Sequence, residues 1–294
     1  MLLKKQLRIM RRRVRLGQHF LIDKDVLDEI VGISKIKKEE EVLEIGPGHG
    51  ILTKALLKKG ARVTAIEIDG NLFEKLKKEL GEDKNLKIIH GDILKLKISK
   101  LKIVANLPYQ ITSPVIRKFL QNKELRPKLM VLMVQKEVAQ RITAKPGDSR
   151  RGFLSVIVQY YSKPKIMRIV PRESFYPIPK IESAIIKIIS RSHCERSEAI
   201  SRDCRVVPPA AGLLAMTKGR TPRNDIEEVD FFRIVQAGFS QKRKKLRNSL
   251  SAGLRVEPKK MDKILQKAGI DSNLRAEDLE INEWNIICRC YTNR

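Results

Sequence analysis

The residues best suited to chemistry lie in the stretch IVANLPY, where the apolar run 103–105 ends at an asparagine. The Asn106 side-chain oxygen and the Leu107 carbonyl are two acceptors that could hold the hydrogens of an aromatic amine and localise the lone pair on its nitrogen. Pro108 has no N–H and restricts Leu107 to extended conformations, so this turn cannot relax into a helix. Tyr109 offers a ring on which a base could stack. The same residues also suit a plain turn, with Asn106 as a cap and Tyr109 in the core, and the tetrapeptide alone does not separate the two.

A second group of residues has the spacing of an adenosine site. The stretch EIGPGHGILT (44–53) has the pattern of a strand, a glycine-rich turn and the start of a helix, and glycines allow a backbone to approach a nucleotide closely. Glu67 ends the next predicted strand, where it could accept hydrogen bonds from two ribose hydroxyls. Asp92 follows the third strand, where it could accept from an adenine amine. The G-x-G-x-G spacing differs from the dinucleotide fingerprint, so the three features together favour an adenosine-containing ligand of another kind.

The elements that would position these residues alternate along the chain between strand-like and helical segments. Apolar strand-like runs lie at 39–46, 61–69, 87–92, 102–106 and 129–134, and segments of helical spacing such as 51–60 and 71–80 separate them. This alternation predicts an α/β fold, a parallel sheet with helices on both faces. FLSVIVQYY (153–161) and SAIIKIIS (183–190) predict later strands, which we expect to be antiparallel.

The charge of the chain indicates a polyanionic partner. There are 61 Lys and Arg residues against 34 Asp and Glu residues, which gives a net charge of +27. Such an excess attracts nucleic acid or an anionic membrane surface. No apolar run is long enough for a membrane span, so we expect no membrane anchor, and the net charge favours RNA as the partner. The predicted phosphate contacts come from a basic arm over residues 1–15 and from the stretch QKRKKLR, although either could be a solvated face; their residues are Arg11, Arg12, Arg13, Lys242, Arg243, Lys244, Lys245 and Arg247.

The domain organisation follows from a change of composition at residue 191. Residues 191–225 are rich in Arg, Ser, Pro and Gly without a steady period, which predicts an inserted, loosely ordered segment. We expect an α/β domain over residues 16–190 before it and a small helical domain over residues 226–294 after it. The four cysteines have neither zinc nor disulfide spacing, so we expect a reducing cytosol and no metal.

Eight blocks in order resemble the ribosomal RNA adenine N6,N6-dimethyltransferase family, whose members modify small-subunit rRNA. The blocks are LGQHFLID (16–23), EIGPGHGILT (44–53), AIEID (65–69), HGDIL (90–94), NLPYQITSP (106–114), QKEVAQR (135–141), FYPIPKIESAII (175–186) and QKRKKLRNSL (241–250). The resemblance covers most of the chain apart from the basic arm and the 191–225 insertion. It implies a Rossmann-like S-adenosylmethionine-dependent methyltransferase domain, with no metal.

The resemblance also implies roles for individual residues. S-adenosylmethionine would be bound by His19, Leu21, Gly46, Glu67, Asp92 and Asn106. The acceptor adenine would be held by Asn106, Leu107, Pro108 and Tyr109, with the Phe175 ring covering its opposite face. His19 stands where the family often has asparagine, and we expect binding to survive because the contact there is largely through the backbone.

The implied reaction transfers methyl groups to two adjacent adenosines in a hairpin near the 3′ end of small-subunit rRNA. The base would leave its helix and attack the sulfonium methyl in line, with no covalent enzyme intermediate and with the surplus proton passing to solvent. The setting would be ribosome biogenesis on a pre-ribosomal small subunit in the cytoplasm, with the enzyme a monomer. Three alternatives stay open: a large-subunit rRNA methyltransferase of the macrolide-resistance type, a non-catalytic RNA-binding assembly factor and, more distantly, a dinucleotide oxidoreductase.

Overall fold

The computed structural model describes residues 19–98, 102–191 and 228–292. Their contacts form two compact units, one from the residues up to Thr143 together with Tyr161–Ser190, and the other from Ala144–Tyr160 together with the residues after 190. The predicted basic arm and nearly all of the predicted insertion lie outside the described residues. The predicted domain boundaries at residues 15, 190 and 225 therefore stay predictions.

The first unit is built on a seven-stranded sheet. Its strands are β2 (Glu41–Ile45), β3 (Arg62–Glu67), β4 (Leu86–His90), β5 (Lys102–Asn106), β6 (Leu129–Gln135), β7 (Ser162–Val170) and β9 (Ser183–Ser190). They lie in the order β4-β3-β2-β5-β6-β9-β7. Strands β2 to β6 pair in parallel, and β9 runs antiparallel between β6 and β7. Two further strands, β1 (Phe20–Leu21) and β8 (Phe175–Tyr176), form a separate antiparallel pair.

Helices flank this sheet, as the alternating pattern predicts. They are α1 (Lys24–Ser34), α2 (Ile51–Lys58), α3 (Gly70–Leu80), α4 (Thr112–Gln121) and α5 (Lys136–Thr143). Two of them begin at aspartate caps: Asp23 accepts from the N–H groups of Asp25 and Val26, and Asp69 accepts from those of Asn71 and Leu72. The central strands β5 and β6 are buried along most of their length, as parallel strands covered on both faces must be.

One strand prediction is wrong. Residues 153–161 form helix α6 (Phe153–Tyr161), not a strand. A short apolar run has no periodicity that separates a buried strand from a buried helix, and here all of Val156, Ile157 and Val158 are buried. The outer antiparallel neighbour of β9 is instead β7, an edge strand that contains Pro164 and alternates exposed with partly buried residues. The predicted strand at 183–190 is confirmed as β9.

The second unit is helical in its described part. Besides most of α6 it contains α7 (Glu228–Gly238), α8 (Leu246–Leu254), α9 (Pro258–Lys267) and α10 (Ile281–Thr292). Residues 144–160 group with this unit, although the sequence placed them in the α/β domain. The physical reason is aromatic packing, because the Tyr160 ring lies 4.7 Å from that of Phe231 and 5.3 Å from that of Phe232.

Neither a membrane-spanning helix nor a cluster of metal ligands is found among the described residues. No helix there is both long and apolar enough to cross a bilayer. No cluster of three or more His, Cys, Asp and Glu side chains in these ranges could hold a metal ion. Cys288 and Cys290 are free thiols, and the other two cysteines lie outside the described residues.

Candidate active site

A single cavity at the carboxyl ends of β2, β3, β4 and β5 collects most of the predicted site residues. Ligands of open α/β sheets bind at this edge, because the carboxyl ends of parallel strands and the turns that follow them converge there. The predicted residues that line the cavity are His19, Leu21, Gly46, Glu67, Asp92, Asn106, Leu107, Pro108 and Tyr109. The predicted cofactor-binding residues and the NLPY motif therefore line the same cavity.

The glycine turn after β2 brings two other segments close to the cavity. Gly46 and Gly48 have positive φ values of 68° and 59°, which non-glycine residues adopt only at a cost. A Cβ atom on Gly48 would lie 2.9 Å from the Phe20 ring, and one on Gly46 would lie 3.3 Å from Pro108 Cδ. The turn can therefore pack against both β1 and the NLPY motif only because it lacks side chains at these positions.

Glu67 is held in place by the backbone that surrounds it. Its Oε2 accepts from the Gly48 N–H at 3.1 Å and its Oε1 from the Asp69 N–H at 2.9 Å. The side chain is 3% exposed, and this burial raises the pKa of Glu67 above its usual value. Each carboxylate oxygen still has a lone pair to offer. The geometry suits the predicted pair of hydrogen bonds to ribose hydroxyls.

Asp92 heads a tight turn after β4. Its Oδ1 accepts from the Leu94 N–H at 2.9 Å, and its carbonyl accepts from Lys95 and Leu96. The Gly91 N–H donates to the Glu67 carbonyl at 2.9 Å, which ties this turn to the end of β3. The two strand-end acids predicted to grip an adenosine are thus linked through one backbone hydrogen bond.

Asn106 ends β5, and its amide group is oriented by the segment before β1. The Asn106 Nδ2 donates to the His19 carbonyl at 3.4 Å. Since the N–H end of the amide is directed at a carbonyl, Oδ1 at its other end is the acceptor that can receive an amine hydrogen. The Leu107 N–H donates to the Met133 carbonyl on β6 at 3.2 Å, which places the turn at the sheet edge.

Tyr109 is anchored beside the cavity at both its hydroxyl and its ring. The hydroxyl shares a hydrogen bond of 2.8 Å with Ser183 Oγ at the start of β9, and burial raises the pKa of Tyr109. Its ring lies 5.8 Å from the His19 ring, with 31° between the planes. The His19 ring is itself fixed, because its Nδ1 donates to the Pro177 carbonyl at 2.7 Å.

Phe175 is buried in this structure, and its predicted place over the acceptor base stays a prediction. Phe175 is 1% exposed, packs within the core and does not line the cavity. It pairs with Leu21 in the β1–β8 ribbon, and both side chains point inward. Because side chains alternate along a strand, the next residue, Tyr176, points outward and is 59% exposed.

Sequence reasoning missed Glu44, a buried acid on β2 that lines the cavity. Glu44 is 1% exposed, and its Oε2 has no hydrogen-bond partner among the described residues. Burial raises the pKa of Glu44 to about 8, with the charge of Glu67 acting in the same direction. The signal available in the sequence is an acid within the apolar run VLEI, where a buried carboxyl is costly unless it has a task.

The predicted RNA contacts lie in the second unit or outside the described residues. Lys242, Arg243, Lys244 and Lys245 are exposed in the turn before α8. Arg247 is half-buried and pairs with Asp262 at 3.1 Å, so part of its charge is used within the fold. Arg11, Arg12 and Arg13 lie outside the described residues. The exposure of the four consecutive cations suits phosphate contact, and their binding to RNA stays a prediction.

The sheet order, the glycine turn, the two strand-end acids and the NLPY turn together define an S-adenosylmethionine-dependent methyltransferase. Residues 9–202 match a family model described as ribosomal RNA adenine dimethylase. A "Ribosomal RNA small subunit methyltransferase A" of Dehalococcoides mccartyi is 39% identical over 96% of this chain and 89% of its own. The chain therefore belongs to the ribosomal RNA adenine dimethylase family.

Solved structures agree with this assignment. The structure of a dimethyladenosine transferase from Plasmodium falciparum has a TM-score of 0.70 and 28% identity, and covers 92% of this chain and 96% of its own. A 23S rRNA methyltransferase, ErmE, has a TM-score of 0.62 over 92% of this chain and 98% of its own, at 24% identity. The second likeness shows a shared fold.

Proposed function

We propose that this protein is an S-adenosylmethionine-dependent rRNA adenine N6,N6-dimethyltransferase that acts on small-subunit rRNA. Family membership supports the chemistry, and the names of the curated relatives support the choice of ribosomal subunit. The observation that carries the proposal is that Asn106 and the adenosine-gripping acids Glu67 and Asp92 line one cavity. A non-catalytic assembly factor would have no need for donor-binding acids and an amine-binding asparagine in the same cavity.

The residues present fit the methyl donor. Glu67 and Asp92 can accept hydrogen bonds from the ribose and from the adenine amine of S-adenosylmethionine. Gly46 and Gly48 leave room for the backbone to approach it closely. The unpartnered Oε2 of Glu44 can accept a hydrogen bond from it. When bound, S-adenosylmethionine supplies an electrophilic methyl group on its sulfonium sulfur. No side chain has to form a covalent bond for this methyl group to be transferred.

The acceptor side prepares the adenine amine for attack. The N6 lone pair of adenine is delocalised into the ring, which makes the amine a poor nucleophile. Asn106 Oδ1 and the Leu107 carbonyl accept the two amine hydrogens, and this pulls the nitrogen toward tetrahedral geometry. The His19 carbonyl keeps the Asn106 amide in the orientation that this step needs. The surplus proton passes to solvent after alkylation.

Tyr109 holds the extruded base. Base stacking on an aromatic side chain contributes about 1–3 kcal/mol, and the ring is positioned in advance by the hydrogen bond to Ser183. Pro108 has φ −54° and ψ 129°, an extended conformation that turns the chain from Leu107 into the short helix at Tyr109–Ile111. Two rounds of transfer require that the same pocket also admits monomethyladenine.

The RNA partner would be a pre-ribosomal small subunit, with the enzyme acting as a monomer in the cytoplasm. The target would be two adjacent adenosines in a hairpin near the 3′ end of the rRNA. The basic arm over residues 1–15 and the exposed stretch Lys242–Lys245 would supply phosphate contacts, in keeping with a net charge of +27. Affinity that comes from such contacts falls as salt is added.

The decisive experiment is mass spectrometry of rRNA after incubation of purified subunits with the enzyme and labelled S-adenosylmethionine. The proposal expects two labelled methyl groups on each of two neighbouring adenosines of small-subunit rRNA. Label in large-subunit rRNA would favour the macrolide-resistance type instead. Donor binding without label in either subunit would favour an assembly factor, and tight NAD binding without donor binding would favour an oxidoreductase.

A further inference from the structure

Lys118 connects the donor side of the cavity to the helix that follows the NLPY motif. It lies on α4, and its Nζ donates to the Ile93 carbonyl at 2.5 Å and also to the Leu96 carbonyl. Both carbonyls belong to the turn that Asp92 heads. None of the sequence motifs that point to the site includes this lysine.

The Asp92 turn pairs several of its own N–H groups internally, and Lys118 supplies the donor for two of its carbonyl groups. Within the turn, the N–H groups of Leu94, Lys95 and Leu96 are used by Asp92, through its side chain and its carbonyl. The Ile93 and Leu96 carbonyls point the other way and meet the lysine ammonium. A charged donor makes such hydrogen bonds stronger than a neutral one would.

The electrostatic surroundings of Lys118 agree with this geometry. Burial lowers the pKa of Lys118, and the negative charge of Asp92 opposes that effect. The ammonium and the Asp92 carboxylate are thus near enough to attract each other, which draws the lysine toward the Asp92 turn.

The helix that carries Lys118 begins directly at the acceptor motif. The Ile111 N–H and the Thr112 hydroxyl both donate to the Pro108 carbonyl, at 3.1 and 3.4 Å. Pro108 and Asp92 line the same cavity. Lys118 therefore joins the wall that holds the donor's adenine to the element that positions the acceptor.

We propose that Lys118 is a positioning residue for the methyl donor, which fixes the Asp92 turn in the geometry that recognises the adenine amine. The proposal rests on the proposed function, since it assumes that Asp92 reads the adenine of S-adenosylmethionine. Lys118 does not touch the donor. It acts through the turn, and its loss should reduce the discrimination of adenine from other purines more than it reduces binding in general.

The test measures binding of two ligands to the full chain by calorimetry. One ligand is S-adenosylhomocysteine, and the other is its analogue in which hydrogen replaces the 6-amino group of the base. We expect the unmodified protein to prefer the adenine ligand about tenfold, the equivalent of one hydrogen bond. Lys118→Met should bring this preference to within about twofold, and Lys118→Arg, which keeps a charged donor, should restore most of it.

A matched control separates charge from position. Lys123→Met removes the same charge from an exposed residue just after α4, and it should leave the preference unchanged. Asp92→Ala, which removes both acceptor oxygens, should lose the preference by itself, and adding Lys118→Met to it should change the ratio no further. Thermal unfolding of each variant shows whether the fold persists, and Lys118→Gln takes the place of Lys118→Met if that variant does not fold.

The outcomes distinguish this inference from the proposed function. If Lys118→Met or Lys118→Gln weakens both ligands equally, or leaves the tenfold preference intact, Lys118 has only a structural role and the inference is overturned while the proposed function stands. If the unmodified protein binds neither ligand, the proposed function fails, and the inference fails with it.

Discussion

The side of the cavity that would bind the methyl donor and the side that would hold the acceptor adenine are built in different ways. On the donor side, Glu67 accepts two backbone hydrogen bonds of 3.1 and 2.9 Å. Asp92 Oδ1 accepts a hydrogen bond of 2.9 Å from the Leu94 N–H of its own turn. On the acceptor side, Asn106 is held through one hydrogen bond of 3.4 Å, and Phe175 points into the core. The donor site is thus organised by its own backbone, whereas the acceptor site has one aromatic face, Tyr109, and leaves the other face of a base uncovered by Phe175.

This difference matches the order of events that the chemistry requires. A small donor with a constant shape can be met by a preformed set of acceptors. A base that has to leave an RNA helix arrives from outside, and its second face can be covered by the RNA or by a rearrangement after it enters.

The largest expected effect is on stability, at Phe175. Phe175→Ala should lower the free energy of unfolding by about 3–5 kcal/mol, because it removes a fully buried ring. Urea denaturation measures this loss, and Phe175→Leu should retain most of the stability. If Phe175→Leu is stable yet no longer methylates RNA, the ring is needed over the base, and the acceptor side rearranges more than the comparison assumes.

Asn106→Ala should lower the rate of methyl transfer by about 10²–10³-fold, the loss expected for one oriented group that acts in the transition state. Binding of S-adenosylhomocysteine should change far less, since Glu67 and Asp92 stay in place. Single-turnover kinetics with labelled donor measures the first quantity and calorimetry the second. Unchanged turnover would remove amine activation by Asn106 from the mechanism.

Glu67→Gln should weaken binding of the methyl donor and leave the transfer rate nearly unchanged, the reverse of Asn106→Ala. The neutral amide replaces charge-assisted hydrogen bonds worth about 1.5–3 kcal/mol, so the affinity for S-adenosylhomocysteine should fall at least tenfold. The transfer rate at saturating donor should stay close to that of the unmodified enzyme. A large loss of rate with normal affinity would place Glu67 on the acceptor side.

The effect at Glu44 depends on pH: it is the smallest of the four near pH 4.5 and grows as pH rises. Its pKa is raised from 4.5 to about 8 by burial, so the folded state favours the neutral acid. A raised carboxyl pKa makes folding less favourable as pH rises from the unfolded value to the folded one, because only the unfolded chain ionises freely in that window. Glu44→Gln should therefore unfold at nearly the same temperature as the unmodified protein near pH 4.5.

The difference between these two melting temperatures should widen up to about pH 8 in favour of Glu44→Gln, and then stay constant. Thermal unfolding at half-unit steps of pH measures it. A constant difference across the whole range would show that Glu44 ionises normally inside the fold.

Much of the fold and of the donor site could be predicted from local pattern. Alternating strand and helix segments, the glycine turn and acids at strand ends all depend on residues that are neighbours in the chain. The strand predicted at 153–161 was wrong, and the burial of Phe175 could not be foreseen. The run 153–161 is mostly apolar and short, so no period distinguished its helix from a strand, and the orientation of Phe175 depends on pairing with Leu21.

The sequence by itself determined the parallel sheet, the glycine turn and the meeting of Gly46, Glu67, Asp92 and Asn106, since the carboxyl ends of parallel strands share one edge. The tertiary structure decided which distant residues hold these site residues in position. The His19 carbonyl orients Asn106 across 87 residues of chain, and Lys118 reaches Ile93 across 25. These contacts form only when distant segments pack together, and backbone carbonyls carry no signature in the sequence. The roles of Phe175 and Glu44 were likewise set by burial, which belongs to the folded core and not to any single segment.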